Sequence, residues 1–155
     1  MKLKRTIPLL APLALAGVLA GGAPAAPPNH ASLVIRHQTR GCHSWALNNG
    51  AYQTSETVVI SRHGSISVTN NDVMPHKLVK TSGPAVVYTR ISAGTAMGLK
   101  GTFPPAMLAH MHAATKITFA RSGLYRFTTK AGEDYMTGIR TVGDDNVLRL
   151  TVRVS

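Results

Sequence analysis

Acidic side chains are scarce in this chain. Six Asp and Glu stand against seventeen Lys and Arg, giving a formal net charge of +11. The cations are scattered, with no run of them, and Phe, Trp and Tyr make up only 5% of the residues. A nucleic-acid surface needs clustered cations and stacking aromatics, so that class is set aside. There is a single cysteine, Cys42, which excludes an internal disulfide. No apolar run is long enough to cross a bilayer comfortably, and no long amphipathic helix is visible. Ser-His-Asp spacing, paired carboxylates beside a histidine and a phosphate-binding glycine loop are all missing, so the chain does not read as an enzyme.

The beginning reads as a targeting segment. Lys2, Lys4 and Arg5 make a positive start, Leu9 to Ala20 is a short apolar run, and Ala23-Pro24-Ala25 offers a small-residue cleavage site. Residues 1–25 are therefore expected to be a signal peptide, 26–31 a flexible leader, and 32–155 a single domain. The mature chain would be exported, periplasmic or extracellular, without stable membrane insertion. Losing three cations leaves it at +8.

Within that domain the signals are short strands punctuated by Gly, Pro and Asn. Leu33, Val34 and Ile35 mark a first strand over 32–37, and 57–61 a second. Arg62-His63-Gly64 is a tight turn leading back into a strand where Ile66 and Val68 alternate with Ser65, Ser67 and Thr69. Asn70-Asn71-Asp72 ends that strand, because short polar side chains bond their own backbone. Pro75 then stiffens the chain just before His76. Strand alternation places the loop from 38 to 50 at the His76 end. That loop carries Cys42, His43 and Trp45, with His37 just before it. One thiol and two imidazoles in one local segment suit copper or zinc. The other reading of Cys42 is a buried small hydrophobe packed beside Trp45.

The stretch Asn70-Asn71-Asp72-Val73-Met74-Pro75-His76, placed after a strand, resembles the first histidine-ligand corner of the cupredoxins, the small blue-copper β-sandwiches. Gly123, Tyr125 and Phe127 in a strand, followed by a loop reaching Met136-Thr137-Gly138, resemble the family's last ligand region. The resemblance covers roughly residue 55 to the end and is broken in one place. The family's cysteine position falls at Thr128 or Thr129, and residues 130–135 hold no histidine.

The resemblance implies an all-β, antiparallel Greek-key sandwich with one copper ion, alternating between Cu(I) and Cu(II), at one end. Its rearranged ligand set would be Cys42, His43, His76 and Met136, with the thiolate moved to another loop at the same end. His37, Met74, His110 and His112 are reserves. The last two belong to a segment, Pro104 to His112, where the prolines predict a short helix. The expected function is electron transfer, or copper capture and delivery, with a redox or copper-trafficking protein as partner. The competing expectation is a metal-free binding or structural module that kept the sandwich and lost the site.

Overall fold

A computed structural model describes residues 25–37, 43–95, 101–131 and 148–155. They form two five-stranded sheets packed face to face. The strands are β1 (His30–His37), β2 (His43–Leu47), β3 (Ser55–Ile60), β4 (Ser65–Asn70), β5 (His76–Ser82), β6 (Val87–Ala93), β7 (Met107–Leu108), β8 (Ala113–Thr118), β9 (Gly123–Ala131) and β10 (Arg149–Val154). One sheet runs β2-β1-β4-β8-β6 and the other β3-β10-β9-β5-β7. The all-β sandwich expected from the sequence is the architecture of the protein. Most pairs are antiparallel, but β1 lies parallel to β4 and β3 parallel to β10.

Alternation builds the core. In β4 and β10 every second side chain is buried, which is how a half-buried strand reads. The inner faces place Trp45, Phe119, Tyr125, Phe127, Leu33 and Ile117 fully out of water. Phe119 meets Tyr125 and Phe127 edge-on, with centroids 5.0 and 6.2 Å apart. Each such side chain contributes about 1.5–3 kcal/mol of burial relative to exposure.

Three sequence expectations change. The turn at 61–64 joins β3 in one sheet to β4 in the other, so it is a crossing and not a hairpin. It is pinned by His63 N to Phe119 O (2.8 Å) and Gly64 N to Ser61 O (2.9 Å). Gly64 is required there. A Cβ would press against the Ile60 side chain and come within 2.7 Å of Ser61 O and 2.9 Å of Asn29 O. The segment from Pro104 to His112 contains the two-residue strand β7 and turns in place of a helix. Two successive prolines cap its start, and the backbone of Lys77 and His76 offers β7 a sheet edge. Finally, part of the expected leader is ordered. Ser61 N bonds Pro28 O at 3.0 Å, Ser65 N bonds Asn29 O at 2.9 Å, and Ala31 is buried in β1. Among the described residues no helix is long and apolar enough to cross a membrane.

Candidate metal centre

The corner between β4 and β5 is built from its own side chains. Asn70 is fully buried at the end of β4. Its Oδ1 accepts from Asp72 N at 3.0 Å, and Asp72 Oδ1 accepts from Met74 N at 3.0 Å. These are the local side-chain-to-backbone bonds that such residues favour. The two N–H groups of the Asn70 amide reach three carbonyls, Met74 O (2.8 Å), Leu108 O (3.2 Å) and His110 O (3.2 Å), so one of them is shared. His112 N closes the set on Asn70 O at 2.6 Å. One buried amide thus ties the corner to the segment around β7.

His76 opens β5, opposite Leu108 of β7 and Ala131 of β9. Its side chain is fully buried, and Asp72 Oδ2 accepts from its Nε2 at 3.2 Å. Asp72 is buried to the same degree. A carboxylate on one ring nitrogen fixes the tautomer and orientation of an imidazole, which is how ligating histidines are held. The sequence marked Asp72 only as a turn former. Its spacing of four residues from His76, across a proline-stiffened corner, is the signal that could have found this second role.

The register shows what else gathers at this end. Ile35 lies beside Asn70, and Asn71 N bonds Ile35 O at 2.7 Å, so β1 finishes at the corner. His37 pairs with His43 across the start of β2. The segment between them, with Cys42, therefore leaves from and returns to the His76 end. The sequence placed it there by hairpin alternation; the structure does so through the parallel β1–β4 pair. At its far end β9 reaches Ala131 opposite His76. The segment carrying Met136 starts from that point. Cys42 and Met136 themselves lie outside the described residues.

Of Thr128 and Thr129, the second faces inward. It pairs with Leu78, is fully buried, and lies diagonally from His76 on the same face of the sheet. Diagonal neighbours across strands have Cα atoms about 7–8 Å apart. The Thr129 Oγ1 has no hydrogen-bond partner among the described residues, and neither does the buried Trp45 Nε1. The core at this end therefore holds polar atoms that its apolar neighbours cannot satisfy.

Met74 is half-buried within the corner. His110 stands edge-on to Phe103, 6.1 Å between centroids, and lines a cavity of about 40 Å³ with Met107. His112 is exposed, with φ of 65° and Nδ1 against Thr95 Oγ1 at 3.2 Å. Met107 is buried, whereas Met111 is partly exposed. Among the described residues no three His, Cys, Asp or Glu side chains come close enough to hold a metal ion.

No protein-family model matches the chain. No curated protein matches it either. Several solved structures are similar to it. A cysteine protease inhibitor from Entamoeba histolytica is 9% identical with a TM-score of 0.44, over 83% of this chain and 99% of that one. Fet3p, a multicopper oxidase that functions in iron import, is 9% identical with a TM-score of 0.46, over 84% of this chain and 28% of that one. A reduced amicyanin variant is 18% identical with a TM-score of 0.37, over 97% of each chain.

Proposed function

We propose that this is an exported, non-enzymatic copper-binding protein of cupredoxin-like design, with one mononuclear site at the His76 end of the sandwich. The observation that carries the reading is the buried His76–Asp72 pair at the β4–β5 corner, at the end where the Cys42 and Met136 segments leave the sheets. The donor chemistry fits in one described position. A buried imidazole oriented by a carboxylate is a prepared ligand, and ligation through Nδ1 leaves the Nε2–Asp72 bond in place. Cys42, His43 and Met136 would complete a set of two imidazoles, a thiolate and a weak thioether, the mixture that tolerates both copper oxidation states.

Bound copper would supply one-electron exchange or a deliverable ion. The protein's own contribution is placement. Asn70 fixes the corner, Asp72 fixes the ring, and the flanking strands exclude water. Thr129, at the position of the family's usual thiolate, offers a hydroxyl in its stead, so the thiolate has to come from Cys42.

The test is equilibrium copper binding by the wild type and by His76→Ala. Binding of one ion per chain, weakened by at least a hundredfold in a folded His76→Ala, supports the assignment. Equal binding by both removes His76 from the site. The second reading is a metal-free module in which Asp72 and His76 simply satisfy each other inside the core. It is favoured by the thiol and histidine missing from residues 128–135, and it predicts no stoichiometric copper binding at all.

A further inference from the structure

The outward face of the β3-β10-β9-β5-β7 sheet carries an arginine groove that the copper site does not use. In β10, Arg149, Thr151 and Arg153 point away from the core, because Leu150, Val152 and Val154 are buried. In β9, Arg126 and Thr128 point the same way, between the buried Tyr125, Phe127 and Thr129. The register sets Thr151 opposite Arg126 and Arg149 opposite Thr128. Each arginine thus faces a threonine, and the arginines are diagonal neighbours, which avoids direct like-charge pairing. Between them lies a groove of about 280 Å³ lined by Thr81, Arg126, Thr128, Arg149 and Thr151.

Among the described residues no carboxylate pairs with the arginines of this groove. Among the described residues the only carboxylate side chains are Glu56, on the inner face of β3, and Asp72, in the β4–β5 corner, and both are buried. Asp72 is engaged with His76, whose Nε2 donates to its Oδ2 at 3.2 Å. Arg126 and Arg149 are exposed and form no ion pair there. Thr81 Oγ1 donates to Arg126 O at 3.2 Å, which fixes the rim of the groove. Thr128 Oγ1 likewise donates to Thr129 O at 3.3 Å. Two guanidinium forks with the Thr151 hydroxyl beside them match the oxygens of a tetrahedral oxyanion, because a planar fork binds such oxygens in pairs.

We infer that this groove is a binding site for phosphate-class oxyanions, filled either by free phosphate or by the phosphates of an envelope polymer. The site is independent of the proposed copper centre, since none of its residues belongs to the β4–β5 corner.

The test is titration of the purified protein with inorganic phosphate and, separately, with linear polyphosphate. The wild type is compared with Arg126→Gln/Arg149→Gln and with a control of equal charge loss, Arg36→Gln/Lys116→Gln, on the other sheet. The groove variant is expected to lose about tenfold or more in affinity for whichever probe binds, with the control within about twofold of wild type. Saturable binding of inorganic phosphate assigns the small anion as ligand; binding of polyphosphate alone assigns the polymer. Equal weakening in both double variants means that only net charge is sensed, and it overturns the site. So does failure of both probes to bind the wild type.

Discussion

Asn70→Ala is the substitution that most directly probes how the corner is held. The side chain is fully buried, accepts from Asp72 N, and shares its two N–H groups among Met74 O, Leu108 O and His110 O. Truncation leaves the Asp72 N–H and the Leu108 carbonyl in buried surroundings with their partner gone. A buried polar group left unsatisfied costs about 1–3 kcal/mol, and a partly solvated bond about 0.5–1.5 kcal/mol. Allowing for water entering the vacated space, the expected loss is about 3–5 kcal/mol. For a domain of ordinary stability, about 5–15 kcal/mol, that is a large fraction of the total. Urea unfolding followed by Trp45 fluorescence reads it as a fall in midpoint with an unchanged slope. A loss under about 1 kcal/mol would refute the reasoning, because it would mean that the amide network is replaced by water at little cost.

Further outcomes follow from the same geometry. Phe119→Ala removes a fully buried ring packed edge-on to Tyr125 and Phe127 and is expected to cost about 3–5 kcal/mol in the same assay. Burial pushes the Tyr88 hydroxyl from about 10 up to about 12. The folded state therefore favours the neutral phenol, and that share of stability is intact below pH 10 and is lost as pH rises through 12. Tyr88→Phe should flatten the alkaline fall in unfolding midpoint relative to wild type; identical pH profiles would contradict it. Met136→Leu should still bind copper but at a shifted potential, since an axial thioether bond is long and weak. Complete loss of binding in that variant would make Met136 a principal ligand.

The sandwich was legible because β4 and β10 repeat with period two and no long helical pattern competes with them. Leu148, Leu150, Val152 and Val154 alternate so regularly that their inner face needed no structure to assign. The crossing at Arg62-His63-Gly64 was not legible, because a tight turn between two strands reads the same whether they share a sheet or face each other across the core. The short strand β2 was missed since His43 to Leu47 follows a glycine and a cysteine and is flanked by Asn48 and Asn49, all loop signals. At the site, Asn70, Asp72 and Pro75 announced the corner, and His76 announced itself by following it. The reach of Asn70 to Leu108 and His110 was hidden, because it joins residues far apart in sequence. The arginine groove was hidden for the same reason: Arg126 and Arg149 become neighbours only through the β9–β10 register.

The most direct measurement of the central claim is the visible absorption spectrum of the purified protein during titration with copper(II). The account predicts an intense thiolate-to-copper band that saturates at one ion per chain and is absent in Cys42→Ser. A colourless protein, or a band that survives in folded Cys42→Ser, would contradict it.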